Sequence, residues 1–74
     1  MVKVGMKIKA GSMLLRVNES KFGWVRFEFW NPYYKEWKMR GYTEKRAVVE
    51  ANIKSGKWKV IEKSEEEIAN ENLF

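Results

Sequence analysis

The sequence predicts an α+β domain: an antiparallel β-meander with one helix between its fourth and fifth strands. Four stretches before residue 43 alternate apolar and polar side chains with the period of a half-buried strand. A capped amphipathic pattern then predicts a helix over residues 44–54, and another short alternating stretch follows it. The 74 residues make one domain, and its eleven aromatic residues must supply a dense core because the chain has no Cys.

The first two strands are predicted to form a hairpin. Apolar residues fill alternate positions over residues 2–10, with lysines and a glycine between them. Gly11-Ser12 suits a two-residue turn, because glycine at its first position adopts a positive φ without strain. Residues 13–18 resume the apolar alternation, and a turn is expected over residues 18–21.

The third and fourth strands follow. Over residues 23–30, the core side is predicted to hold Val25, Phe27 and Phe29, and the other side Trp24, Arg26, Glu28 and Trp30. Asn31-Pro32 ends this strand, because proline cannot donate a ladder hydrogen bond. Residues 34–42 return as the fourth strand, with Trp37 and Met39 expected inward and the outward side formed by Tyr34, Glu36, Lys38 and Arg40.

The remaining elements are the helix, a fifth strand and a C-terminal extension. The helix should begin at a Thr43 cap and end at Gly56, which favours the left-handed conformation of a helix terminus. Residues 57–62 form the fifth strand. Ser64 and Glu67 make a capping box for a short helix. The prediction is a β-β-β-β-α-β domain over residues 1–63 and an acidic extension over residues 64–74, whose apolar residues are Ile68, Leu73 and Phe74.

Two arrangements of the meander are compatible with this pattern. It either curls into a small barrel that resembles the SH3-like fold or forms a two-layer sheet with the helix on its inner face. In an SH3-like barrel the connection between the fourth and fifth strands is usually one tight turn, whereas here it would be a helix.

The composition argues against catalysis and metal binding. The chain has no His and no Asp, since all ten acidic residues are Glu, and these are the commonest ligands and general bases. No Gly-rich phosphate loop occurs. We therefore expect a non-enzymatic protein with no cofactor and no small-molecule substrate. No stretch has the ~18 apolar residues of a membrane span and no signal-peptide pattern occurs, so we expect a cytoplasmic location and no membrane partner.

The charge is unevenly distributed. Residues 1–61 carry fourteen Lys or Arg against five Glu, a balance of +9, and residues 62–74 carry one Lys against five Glu, a balance of −4. A basic body attracts phosphate backbones or acidic proteins, whereas the acidic extension could repel the same ligands or fold back on the body.

The segment Ser20 to Phe27 resembles the strand motif of ribonucleoproteins, because five residues fall at matching places: Phe22, Gly23, Trp24, Val25 and Phe27. The motif's basic residue and first glycine are missing. In the RNA-recognition fold this strand follows a helix, which excludes that fold here, since only a hairpin pattern precedes Phe22. The turn and aromatic strand also resemble those of cold-shock domains over about ten residues, which does not assign the chain to that family.

The geometry of the third strand nevertheless predicts a mixed aromatic and basic outer face. Aromatic rings that stack bases, beside cations that track the backbone, bind single strands without reading sequence. We therefore predict a site for single-stranded RNA or DNA formed by Phe22, Trp24, Arg26, Trp30, Lys38, Arg40, Lys7, Lys9 and Arg16. The competing interpretation is that Trp24 and Trp30 lie under Lys and Arg stems or under the C-terminal segment.

The alternative function is a protein-interaction or regulatory module, of the kind that compact phage genomes encode, which binds an acidic partner. Tyr33 and Tyr34 in the turn after Asn31-Pro32 would be its anchors, because tyrosines bury much area with few rotors to immobilise. The competing interpretation folds them back over the hairpin.

Overall fold

A computed structural model of the protein describes residues 2–70. The elements are β1 (Lys7–Ala10), β2 (Met13–Lys21), β3 (Trp24–Asn31), β4 (Glu36–Lys45), α1 (Arg46–Lys54), β5 (Trp58–Ile61) and α2 (Glu65–Asn70). The strands form one antiparallel sheet in the order β4-β3-β2-β1-β5, which confirms the α+β class. The sheet is open, with β4 and β5 as its edges, so the closed barrel is not confirmed. Within the described residues, neither helix is long and apolar enough to span a membrane.

The main core lies between α1 and one side of the sheet, which we call the inner face. The inner face carries Ile8, Leu15, Val17, Val25 and Phe27, all at most 1% exposed. Val49 of α1 is fully buried against them, and the half-buried Ile53 packs beside it. The Phe27 ring stacks on Tyr42 at 5.4 Å between centroids and meets the edge of Trp58 at 6.1 Å. The predicted inward side of the third strand is therefore confirmed.

The first strand is shorter than predicted. Gly5 has φ 90°, and it interrupts the alternation so that Val4 is 65% exposed and β1 begins at Lys7. The backbone N–H of Gly5 donates to the Val17 carbonyl at 2.8 Å, and the Val17 N–H donates to the Met6 carbonyl at 2.9 Å. This irregular segment still returns Val2 to the core.

The second strand is longer than predicted. An extra residue, Asn18, lies at a β-bulge between Val17 and Glu19, and the strand continues to Lys21. The prediction of a turn over residues 18–21 is wrong. The turn is Phe22-Gly23, with φ 55° and 78°, and two central residues of positive φ match the twist of a two-residue hairpin.

The side chains of the fourth strand lie on the faces opposite to those predicted. Trp37 pairs with Trp30, and Met39 pairs with Glu28, so both lie on the side away from α1, which we call the outer face. The expectation that they point inward is wrong, because the outer face has a core of its own, where Trp37 packs beside Leu14, Trp30 and Ile68. The two residues Arg40 and Gly41 are left out of the pairing, and the alternation of β4 is kept, so Tyr42 lies on the inner face opposite Phe27.

The strand β4 also replaces the predicted start of the helix. Thr43 pairs with Arg26 inside β4 instead of capping a helix, and α1 begins at Arg46 without a side-chain cap. The predicted end is confirmed, since Gly56 has φ 85° and its N–H donates to the Ile53 carbonyl at 3.1 Å.

The helix α2 packs on the outer face. Ile68 is 1% exposed and contacts Leu14 and Trp30, with the half-buried residues Trp37, Ile61 and Ala69 around them. The capping box is confirmed, because the Glu67 N–H donates to Ser64 Oγ at 3.2 Å and the Ser64 N–H donates to Glu67 Oε1 at 3.3 Å. The division at residue 63 stays a prediction, although Ile68 contributes to packing, and Leu73 and Phe74 lie outside the described residues.

Candidate nucleic-acid interface

The outer face has a covered half and an open half. Ile68 of α2 covers Leu14 and Trp30, which lie toward the Gly11-Ser12 turn. At the other end of β3, toward the Phe22-Gly23 turn, Trp24 is 48% exposed. A ligand therefore has access to the aromatic residues of one half only.

In the covered half, Arg16 is occupied by internal contacts. Its Nε and Nη2 donate to the two carboxylate oxygens of Glu28 at 2.9 and 3.1 Å, a bidentate pair. It also contacts the carboxylate of Glu65 in α2, and its Cζ lies 4.6 Å from the centroid of the Trp37 ring. Trp37 Nε1 donates to the same Glu65 at 3.1 Å. These contacts hold α2 against the sheet.

Two residues of the sequence-predicted site are thus placed in a structural role. Trp30 does lie on the predicted outer side of β3, but it is only 8% exposed and meets the Trp37 ring edge-on at 5.1 Å. The positive charge of Arg16 is compensated by the carboxylates of Glu28 and Glu65. Neither presents the free aromatic or cationic surface that the sequence hypothesis required of it.

In the open half, five residues form what we call the hairpin patch: Phe22, Trp24, Lys21, Arg26 and Lys45. Trp24 lies opposite Lys21 on β2 and Lys45 on β4, so a cation flanks the indole on each side. Arg26 lies two residues further on the same face. A depression of ≈ 240 Å³ is lined by Glu19, Lys21, Phe22, Trp24, Arg26 and Thr43.

The positive charge of the hairpin patch is only partly compensated. Glu19 accepts Lys21 Nζ at 3.2 Å and lies 3.9 Å from Arg26 Nη1. All three side chains are more than a third exposed, so these pairs are weak and exchange readily with other ions. Lys45 forms no ion pair with any other described residue.

The backbone of Phe22 adds a second unusual feature to this patch. A bulky residue with φ 55° is rare, because its Cβ crowds the backbone, and Asn or Gly normally fills this turn position. The side chain is 90% exposed, with Lys21 Nζ 5.7 Å from the ring centroid. The ring therefore has no packing role that would offset the strain of its backbone.

The remaining sequence-predicted cations lie elsewhere. Lys38 pairs with Phe29, which places it on the inner side of β4 beside Glu36 at 3.3 Å, so the expectation that it joins the outer face is wrong. Arg40 lies in the irregular part of β4, outside the paired register. Lys7 and Lys9 do lie on the outer face, but on β1 beside β5 and away from the hairpin patch.

Two residues of the patch were not identified from the sequence. Lys21 was assigned to a turn and Lys45 to a helix, whereas both pair with Trp24. The only sequence indication of their position is the Phe-Gly dipeptide, which marks the true hairpin turn and fixes the register on both sides.

The turn with the two tyrosines forms a separate exposed feature. Asn31 Oδ1 accepts hydrogen bonds from the backbone N–H groups of Tyr33 at 2.9 Å and Tyr34 at 3.1 Å. The two rings meet edge-to-face at 4.9 Å and are 83% and 65% exposed. They do not fold back over the hairpin, so the turn presents a preorganised aromatic pair to solvent.

Neither metal chemistry nor similarity to other proteins adds to this description. Within residues 2–70, no group of three or more carboxylates is placed to hold a metal ion. No family model, curated protein or solved structure matches the chain.

Proposed function

We propose that this protein is a small non-enzymatic module that binds single-stranded RNA or DNA through the hairpin patch. The observation that carries the proposal is the pair of exposed aromatic rings, Phe22 and Trp24, flanked by three cations on the half of the outer face that α2 leaves open. The proposed site is smaller than the one predicted from the sequence, because it omits Trp30 and Arg16.

The chemistry of the patch suits a single strand. Each base that stacks on an exposed aromatic ring contributes about 1–3 kcal/mol and needs no sequence-specific hydrogen bond. Three cations lie beside the rings: Lys21 on β2, Lys45 on β4 and Arg26 on β3 itself. In the proposed complex they contact the phosphates of the stacked nucleotides. The strained backbone of Phe22 supports a binding role, because such strain persists mainly where function requires it.

Tryptophan fluorescence tests the proposal. Titration of the protein with single-stranded RNA and DNA oligonucleotides should quench emission, because a base stacks on Trp24. The Trp24→Phe variant keeps a stacking ring but loses this indole, so it should retain most of the affinity while the quenching largely disappears. Unchanged wild-type emission at low salt would overturn the proposal.

Salt dependence separates the electrostatic contribution from stacking. Each phosphate neutralised on a single strand contributes about −0.7 to the slope of log affinity against log salt. Arg26→Ala should lower the affinity less than Trp24→Ala does. It should also make this slope shallower by about 0.7, the contribution of one phosphate contact.

The second candidate function, a protein-interaction or regulatory module that binds an acidic protein, is favoured by the Asn31 turn. Its two hydrogen bonds hold Tyr33 and Tyr34 in place before any partner arrives, which lowers the entropy cost of binding. This function predicts no oligonucleotide binding by the wild-type protein. It also predicts that Tyr33→Ala reduces capture of the partner while Trp24→Ala does not.

A further inference from the structure

We propose that Glu19 makes the hairpin patch select guanine among the bases that stack on it. The proposal deepens the proposed function and rests on it. It goes further because stacking on Phe22 and Trp24 accepts every base, whereas a carboxylate beside the rings recognises the hydrogen-bonding edge of one base.

A β-bulge places Glu19 at the patch. Val17 is buried on the inner face, so strict alternation along β2 would turn Glu19 inward as well. The extra residue Asn18 shifts the alternation, and Glu19 instead lies on the outer face as the cross-strand partner of Arg26. Its side chain lines the same depression as Trp24. The bulge therefore adds a carboxylate to the aromatic and basic residues of the patch.

A carboxylate weakens a site that binds phosphates only. The negative charge of Glu19 repels a polyanion, and its contacts with Lys21 at 3.2 Å and Arg26 at 3.9 Å reduce the positive charge that attracts one. These exposed pairs contribute little to stability. Charge compensation among the exposed side chains is the competing explanation for Glu19, and it predicts no preference among bases.

Guanine is the base whose edge fits Glu19 and Arg26 together. Its N1–H and N2–H groups are adjacent donors that match the two oxygens of one carboxylate, whereas the other bases place an acceptor beside the donor of this edge. Next to these donors, guanine carries the O6 and N7 acceptors, to which an arginine donates in a bidentate contact. Glu19 Oε1 and Arg26 Nη1 lie 3.9 Å apart, so acceptor and donor are side by side, as the matching groups of guanine are.

A base stacked on Trp24 has its edge within reach of both side chains. Arg26 follows Trp24 by two residues on the same face, roughly 7 Å along the strand, and Glu19 is opposite Arg26. Lys45 flanks the indole on the β4 side and stays available for a phosphate. One nucleotide is thus contacted at its base plane, its base edge and its backbone.

The test varies a single base. Oligonucleotides of about five nucleotides carry guanine, adenine, cytosine or hypoxanthine at the centre, with abasic units on both sides so that only this base can stack. Hypoxanthine is guanine without the N2 amine, so it offers Glu19 one donor instead of two. The wild type should bind guanine about fivefold more tightly than adenine, the lower end of the effect of a bidentate base contact because the site is open to water. Hypoxanthine should fall between them.

Two variants with the same change of net charge test whether Glu19 is the residue responsible. Glu19→Ala removes the carboxylate from the patch and should bind all four strands with nearly equal affinity. Glu36→Ala is the control, because it removes another exposed carboxylate that pairs with a lysine, Lys38 at 3.3 Å, at the end of β4 away from Trp24. It should keep the wild-type preference. Unfolding curves check that both variants fold, as the loss of an exposed pair allows.

Equal wild-type affinity for the four strands, with tryptophan quenching by each, would overturn the guanine proposal and leave the hairpin patch unaffected. A guanine preference that persists in Glu19→Ala would also overturn it, because another residue would then recognise the base. If Glu19→Ala does not fold, the wild type decides, and equal affinities for guanine and hypoxanthine overturn the proposal. If none of the strands quenches the wild type, the proposed function is overturned as well.

Discussion

The two faces of the sheet differ in how they are covered. The inner face packs against α1 (Arg46–Lys54), and its central residue Phe27 is fully buried between Tyr42 and Trp58. The outer face is covered in one half only, by α2 (Glu65–Asn70), through Ile68. The same strand β3 therefore contributes a buried aromatic residue to each face, Phe27 and Trp30, and an exposed one, Trp24, to the outer face alone.

This difference shows that an outward position on a strand does not establish an available surface. Trp24 and Trp30 lie on the same side of β3, but their exposures are 48% and 8%. One isoleucine and one carboxylate of α2 account for the contrast, because Ile68 covers Trp30 and Glu65 holds Arg16 and Trp37.

The largest effect is expected on the inner face. Phe27→Ala should lower the free energy of unfolding by about 3–5 kcal/mol, because it empties a fully buried aromatic site. Phe22→Ala is the matched control, since it removes the same ring where that ring is 90% exposed, and it should change stability by about 0.5 kcal/mol or less. Denaturant unfolding measures both, and equal losses would contradict the assignment of the faces.

Loss of the α2 anchor should have a smaller effect. Ile68→Ala should cost about 2–3 kcal/mol, the lower part of the range for a buried aliphatic truncation, because the cluster on the outer face is small. Trp30 should become more exposed, which shifts tryptophan emission to longer wavelength. Val48→Ala, at a 40% exposed position of α1, is the control. A loss no larger than the control's would mean that α2 does not stabilise the outer face.

The polar anchor of α2 should contribute less again. Arg16→Met should cost about 1 kcal/mol, because it leaves Glu28, at 15% side-chain exposure, without its bidentate partner. Lys38→Met breaks the exposed pair with Glu36 and should cost less than about 0.5 kcal/mol. High salt should reduce the difference between the two stability losses only slightly, because α2 shields Arg16 from solvent ions. If high salt abolishes the difference, Arg16 is not shielded by α2.

The smallest effect concerns alkaline pH. Burial, and secondarily the charge of Glu44, raises the pKa of Tyr42 above its ordinary value of 10.0. The folded state thus holds this proton more tightly than the unfolded chain, so the contribution to stability is intact below pH 10.0 and is lost as the pH rises through the raised pKa. Denaturant unfolding below and above pH 10 should show a larger loss of stability for the wild type than for Tyr42→Phe as the pH rises. Equal losses in the two proteins would contradict this.

The inner face could be predicted from the sequence, because burial of Val25, Phe27 and Phe29 requires only the two-residue period of a strand. The ends of the strands could not, since the bulge at Asn18 and the irregularity near Gly41 insert residues that leave no sign in the hydrophobic pattern. With the bulge, β2 runs on to a turn at Phe22-Gly23. The two extra residues of β4 keep its alternation, and the faces of Trp37 and Lys38 were mispredicted because the outer face has a core of its own around Leu14, Trp30 and Ile68.

The candidate site was predictable to a similar extent. Phe22, Trp24 and Arg26 were identified because they belong to one strand and its turn, where sequence neighbours are also spatial neighbours. Lys21 and Lys45 depend on the register of the adjacent strands, and the burial of Trp30 depends on Ile68, 38 positions further along the chain. Such long-range contacts are set by tertiary packing and not by local pattern.

The central claim is that the open half of the outer face binds a single strand, and Trp24→Ala tests it most directly. Isothermal titration calorimetry gives the affinity of wild type and variant for one oligonucleotide, and denaturant unfolding gives the midpoint of each protein. We predict an unchanged midpoint and an affinity loss of about 1–3 kcal/mol, the contribution of one stacking ring. An unchanged affinity in a folded variant would contradict the hairpin patch as the binding site, and loss of the fold would show that Trp24 belongs to the core.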